Sequence, residues 1–141
     1  TDFRLTFIPS LEAHMSIASF GSVNWNTPWD LYPECQNLEN LKSKNLALPK
    51  FEKKNCVISK YPFYLAIENC QDKDYTTEKV WDTFKLGVVP VIWGAPNIRS
   101  YLPHPKSAIY INDFPDTESL ANYLKYLASN ETAYLEYHEW R

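Results

Sequence analysis

Residues Tyr61 to Asn97 read YPFYLAIENCQDKDYTTEKVWDTFKLGVVPVIWGAPN, and the reading of this stretch decides the fold. Phe63 to Ile67 (FYLAI) is a nearly continuous apolar run of strand length, the pattern of a strand covered on both faces of a parallel sheet. It stops at Glu68-Asn69 and gives way to a polar loop, Cys70 to Asp74. From Thr76 the period changes: Thr77, Val80, Trp81 and Phe84 fall at i, i+3, i+4 and i+7, one face of a helix. Gly87 stands where a helix C-cap belongs, and Val88 to Trp93 (VVPVIW) forms the next strand. Strand, helix and strand at this spacing predict a βαβ crossover, hence an α/β fold: a Rossmann-like parallel sheet with flanking helices.

Polar residues gather where such a unit binds ligands, outside the carboxyl ends of its strands. Glu68 and Asn69 close the first strand, Tyr75, Thr76, Thr77, Glu78 and Lys79 open the helix, and Gly94, Ala95, Pro96 and Asn97 close the second strand. Free N–H groups and the positive end of the helix dipole favour an anion there, and Lys79 adds a full charge. A phosphate suits the place. The plainer alternative is a capping acid, Glu78, beside a solvated Lys79–Asp82 surface pair.

The ordered run AIENCQDKDYTTEKVWDTFKLGVVPVIWGAPNI, from Ala66 to Ile98, resembles the donor-binding signature of the family 10 α1,3-fucosyltransferases: FEN, a short gap, DYxTEK, an apolar helix, G-x-VPV and G-x-PN. The likeness continues more loosely from Ser100 to Trp140. It implies the C-terminal half of a GT-B glycosyltransferase, two Rossmann-like domains around a cleft, with residues 61–141 as the GDP-fucose-binding domain and 1–60 as an incomplete or irregular N-terminal segment and connection. It implies transfer of L-fucose from GDP-β-L-fucose, with inversion, to a glycan or glycoprotein hydroxyl. By the same match Asn69, Tyr75, Glu78 and Lys79 are donor-site residues, with Thr77 a further substrate contact at the helix start. Glu78 and Lys79 are the catalytic pair, Lys79 on the diphosphate and Glu78 on the ribose or the positive sugar ring. No cofactor is required, and Mn²⁺ would be auxiliary.

Family members also use an arginine on the diphosphate and a carboxylate as general base. Arg4 and Glu12 are the nearby residues of those types, and neither stands in a matching pattern. Tyr32 to Cys35 (YPEC) is only faintly similar to a Tyr-Gly-x-Cys element that precedes the signature in the family. Two other readings follow: a nucleotide-sugar-binding chain that does not catalyse transfer, or a GT-B relative with another donor. Asp72-Lys73-Asp74 matches the DxD metal motif of a different glycosyltransferase class, but it falls in the variable gap of the signature, so no metal site is assigned.

Composition narrows the alternatives. The chain has 141 residues, net charge −3 and dispersed lysines, which argues against a general nucleic-acid binder. Aromatic residues make up 16% of it, which suits sugar contact and an aromatic core equally. No apolar stretch is long enough to span a bilayer. Family members are Golgi proteins held by an N-terminal membrane anchor, so a lumenal piece is expected, and Asn130-Glu131-Thr132 is a glycosylation sequon in keeping with it. Cys35, Cys56 and Cys70 lack metal-ligand spacing, and their pairing is not deducible.

At the N-terminus, Phe3, Leu5 and Phe7 alternate with polar residues and predict a short strand, followed by a short helix over Leu11 to Phe20. Asn24 to Pro33 is a loop whose Trp25 and Trp29 either stack on an acceptor sugar or cover a core edge. Glu39 to Lys60 is a charged connection in which Lys42, Lys44, Lys50, Lys53 and Lys54 either attract nucleotide phosphates or, on the plainer account, form a solvated surface. Beyond the centre, a short helix over Asn97–Leu102 and a strand over Ala108–Ile111 are expected. Asp116 caps a helix running to Ser129, with Leu120, Tyr123, Leu124 and Leu127 facing inward. A last helix carries Tyr134, Leu135, Tyr137 and Trp140 into the core. His14, His104 and His138 fit no ligand pattern.

Overall fold

The structure, a computed structural model, describes residues 3–20, 25–36 and 49–141. Its centre is a three-stranded parallel sheet in the order β1 (Phe63–Ile67), β2 (Val89–Trp93), β3 (Ile109–Tyr110). Phe63 pairs with Val89 and Ile67 with Trp93, while Val91 pairs with Ile109. The expected crossover is present: α4 (Glu78–Lys85) connects β1 to β2, and Gly87 adopts φ 72° just after it, the left-handed conformation in which glycine carries no Cβ penalty.

Period-two alternation divides the strands between two cores. Ile67, Val89, Val91 and Ile109 face one side, where Phe7, Leu11, Leu120, Ala121, Leu124 and Leu127 cover them. Ala66, Ile92 and Tyr110 face the other, against Val80 and Phe84 of α4. Helices on both faces make the three-layer arrangement expected for strands that read as apolar runs. Asp116 caps α5 (Thr117–Ser129) by accepting the Ser119 N–H at 2.7 Å, and α6 (Glu131–Leu135) follows, capped by Asn130. A 3₁₀ turn spans Ile98–Tyr101, within the short helix expected there.

The N-terminal expectations fail. Phe3 to Phe7 is no strand: it lies in α1 (Phe3–Glu12). The apolar positions that matter are Phe3, Phe7 and Leu11, spaced by four, so they share one helical face. Phe3 stacks on Trp93 at 4.2 Å, Leu11 is 0% exposed and Leu5 is 57% exposed. Two-residue alternation and four-residue spacing coincide at Phe3 and Phe7, and packing on α5 selects the helix. The helix expected over Leu11 to Phe20 is absent, since α1 ends at Glu12 and residues 16–20 have no regular structure.

Further departures follow from packing. Within the expected charged connection, Pro49–Ile58 is a helix, α3, while Lys42 and Lys44 and the Lys50 side chain lie outside the described residues. Cys56 of α3 forms a disulfide with Cys35 of α2 (Pro33–Gln36), leaving Cys70 free. Trp25 covers no core edge, being 61% exposed, and the Trp29 side chain lies outside the described residues. Leu135 is exposed rather than core, whereas Tyr137 is buried, because α6 gives way to a 3₁₀ turn over Glu136–His138 that rotates the face. Among the described residues no helix is long and apolar enough to cross a membrane.

Candidate functional site

Glu68 extends the β1 ladder by one step, its N–H donating to the Trp93 carbonyl at 2.9 Å. This turns its side chain inward, where it is 2% exposed. A buried carboxylate must be paired and hydrogen-bonded. Thr77 meets most of that need: its N–H donates to Oε2 at 2.6 Å and its hydroxyl to Oε1 at 2.7 Å. The Lys79 ammonium stands 3.5 Å from Oε1. The Thr77 hydroxyl also accepts the Lys79 N–H at 3.3 Å, which makes Thr77 the N-cap of α4. One buried anion thus holds the loop end, the first turn and the lysine together. Its sign suits the positive end of the helix dipole.

The close packing requires Gly94. A Cβ at that position would lie 2.8 Å from Glu68 Cγ, so only glycine lets the end of β2 pass beneath the glutamate. Beside this group the Thr76 hydroxyl oxygen is buried without a hydrogen-bond partner among the described residues.

A second tie fixes the loop from outside. Asp74 takes φ 67°, a left-handed conformation uncommon for a residue with a side chain. Its N–H donates to Asn97 Oδ1 at 2.9 Å, Asn97 Nδ2 donates back to Asp74 Oδ1 at 2.6 Å, and the Tyr101 hydroxyl donates to the same oxygen. These donors, Tyr101 foremost, hold the Asp74 carboxyl below the usual carboxylate range, and the neighbouring anion raises the Tyr101 hydroxyl. One carboxylate of the DxD-like triplet is therefore engaged in joining the loop to the turn after β2.

Among the described residues β1 pairs only with β2, and a cavity of about 500 Å³ lies against it. Apolar side chains of α1, α3 and β1 line most of it, together with residues 15–20. Arg4 of α1, Lys54 of α3 and Lys79 of α4 bring three cations to the same cavity. Tyr64, also on its wall, has its hydroxyl pushed up by burial, against which the nearby Lys79 charge acts. Lys79 keeps 20% of its side chain exposed while its head is steered by Glu68. A mostly apolar cavity with a few fixed cations suits a ligand that carries an anionic group.

The five residues expected to contact a substrate fall into separate places. Thr77 and Lys79 are joined through Glu68, and of the five only Lys79 lines the large cavity. Asn69, Tyr75 and Glu78 are exposed, Glu78 beside a small recess formed with Lys54, Asn55 and Tyr64. The surface pair considered for Lys79 is replaced: Lys79 turns to Glu68, and Asp82 stands 3.8 Å from Lys85 instead. Glu12 accepts from Asn26 Nδ2 at 3.1 Å.

Sequence reasoning undervalued Glu68, Asp74 and Arg4. A charged residue directly after a wholly apolar strand was the available signal for Glu68, because such a side chain is either exposed at the strand end or buried with partners. Asp74 shows no such signal, since its partners lie 23 and 27 residues away. Arg4 was obscured by the expectation of a strand around it.

Comparison with known proteins shows the family. The family model described as "Glycosyltransferase family 10 (fucosyltransferase) C-term" matches residues 1–141. A "GDP-fucose protein O-fucosyltransferase 3" from Danio rerio is 40% identical over 138 residues, 98% of this chain and 28% of that protein. An "Alpha-(1,3)-fucosyltransferase B" from Drosophila melanogaster is 36% identical over 136 residues, 96% of this chain and 29% of that protein. A crystal structure of an α1,3-fucosyltransferase with GDP-fucose superposes with TM-score 0.67 at 29% identity, covering 95% of this chain and 33% of the other. The chain thus spans between a quarter and a third of the length of these relatives. Matched over its whole length by the family model, and sharing the parallel α/β core of a fucosyltransferase, the chain belongs to glycosyltransferase family 10, within the C-terminal region that defines it.

Proposed function

We propose that this chain is the donor-binding part of a fucosyltransferase that moves L-fucose from GDP-β-L-fucose to a hydroxyl of a glycan or glycoprotein, with inversion. The carrying observation is the Glu68–Thr77–Lys79 group, which fixes a cation at the start of α4 and on the wall of a cavity that Arg4 and Lys54 also line. An acceptor oxygen attacks fucose C1 as its bond to the β-phosphate oxygen breaks, and negative charge grows on the departing GDP. Lys79, with Arg4 beside the same cavity, stabilises that charge. Donors fixed before the reaction are worth about 10²–10³ in rate each. Glu78, exposed on the first turn, meets the ribose or the positively charged sugar ring; of the exposed loop residues before it, Asn69 orients donor hydroxyls and Tyr75 lies beside the diphosphate.

No metal is required in this reading, because charge on the diphosphate is met by side-chain cations and by the helix terminus. The protein works in the Golgi lumen, as part of a membrane-anchored glycoprotein. The Cys35–Cys56 disulfide supports an oxidising compartment. Nucleotide-sugar binding without transfer is the second reading, favoured by the engagement of Glu12 with Asn26.

The test is calorimetric titration of GDP, with UDP as control, into the chain and into Lys79→Ala. GDP should bind the native chain while UDP and the variant show at least tenfold weaker binding. Absence of GDP heat from a chain folded by circular dichroism would refute the donor site. Binding that persists in EDTA, joined with transfer when the rest of the enzyme is supplied, separates the catalytic reading from the binding one.

A further inference from the structure

We propose that Asn130 is an N-glycosylation site whose glycan lies at the end of the sheet opposite the donor site. Asn130-Glu131-Thr132 is the sole Asn-x-Ser/Thr triplet in the sequence that avoids proline at the middle position. The triplet forms the junction of α5 and α6, with Glu131 and Thr132 exposed.

The two ends of the Asn130 amide have different duties. Oδ1 accepts the Ala133 N–H at 3.0 Å and caps α6. Nδ2 makes only a long contact, 3.4 Å, to the hydroxyl of Tyr126, whose ring is exposed. Glycosylation replaces one hydrogen on Nδ2 and leaves the carbonyl oxygen, so the cap survives the modification. The exposed Tyr126 ring then offers the first sugar an apolar face to rest on.

The place is remote from the donor site. Tyr134 of α6 donates its hydroxyl to the Pro62 carbonyl at 2.8 Å and packs its ring on Phe63, at the start of β1. Glu68 and Lys79 stand at the other end of that strand, so a glycan here is set apart from the Glu68–Lys79 pair, although the cavity along β1 also reaches Pro62 and Phe63. The Cys35–Cys56 disulfide provides the independent compartment argument, since disulfides persist in the secretory space where N-glycans are attached. In the transfer, Nδ2 bonds to the anomeric carbon of an oligosaccharide carried on a polyprenyl diphosphate. The anomeric C–O bond breaks, the lipid diphosphate leaves with the electron pair, and the amide loses one proton.

The experiment is translation of the whole chain behind a secretory leader with microsomes, followed by peptide N-glycosidase treatment. Protease-protected native chain should run as a slower band that collapses on treatment, with Asn130 converted to Asp in the peptide map. Thr132→Ser should retain the shift at lower occupancy, whereas Asn130→Asp and Thr132→Ala should lose it. Asn130→Asp keeps an oxygen for the Ala133 N–H, and its circular dichroism checks that the loss reflects the sugar and not the fold. Protected native chain without a shift, or an undiminished shift in Thr132→Ala, overturns the proposal.

Discussion

The loop between β1 and α4 and the segment containing α1 are both packed against the same small sheet, yet they are held in place by different physics. Residues 68–79 are fixed by directed polar bonds to one buried carboxylate and by the Asp74–Asn97–Tyr101 group. Residues 3–12 are fixed by apolar contact, through Phe7, Leu11 and the Phe3–Trp93 stack. Directed bonds need particular residue types at particular steps, so they leave a readable pattern. Apolar contact accepts any side chain of suitable size, and its partners are set by the whole molecule.

The sharpest way to break this comparison is to remove the anion. Glu68→Ala strips Thr77 and Lys79 of their common partner, and loss of one side of a buried pair costs about 3–5 kcal/mol. Urea unfolding should show that loss, and GDP titration should show the site gone even where the fold survives in stabilising buffer. A Glu68→Ala chain as stable as the native one would mean that the carboxylate is incidental.

A slightly smaller effect is expected in the apolar region. Leu11→Ala empties a fully covered position between α1 and α5 and should cost about 2–5 kcal/mol, while Leu5→Ala, on the exposed face of the same helix, should stay within about 0.5 kcal/mol. Equal losses for the two would contradict the helical face drawn here and favour the alternating strand pattern.

The smallest effect concerns acid. Asp74 is a carboxyl with its folded value depressed, so the contribution of its bonds is present above the ordinary carboxylate value, about 3.9, and is lost as pH falls below that through the folded value. Carbon-detected NMR titration should place Asp74 below that value in the native chain and move it upward in Tyr101→Phe, which removes the largest cause. An unmoved titration would show that Asn97 alone accounts for the shift.

Legibility follows the same division. The βαβ unit was readable because FYLAI and VPVIW are apolar on both faces and the 3.6 period between them is clean. The α5 cap was equally plain at Asp116. α1 was misread because Phe3, Leu5 and Phe7 satisfy a two-residue period while Phe3, Phe7 and Leu11 satisfy a helical one, and local sequence does not rank them. α3 was missed because a lysine-rich turn resembles solvated coil until Val57 finds its core and Cys56 its partner. At the site, residue types at the helix start were legible, whereas the role of Glu68 as their common partner was not.

The sequence by itself determined the alternation of strand and helix in the βαβ unit, the polar cluster at the strand ends, the Asp116 cap and the family likeness, because each depends on residues within a few turns of one another. Tertiary structure alone decided that Lys79 leans on Glu68 rather than Asp82, that Asp74 bonds across 23 residues to Asn97, that Cys35 pairs with Cys56, and that Arg4 reaches the cavity beside β1. Those outcomes depend on which surfaces meet once the sheet forms. A buried charge takes the partner that packing brings within reach, and no local pattern records that distance.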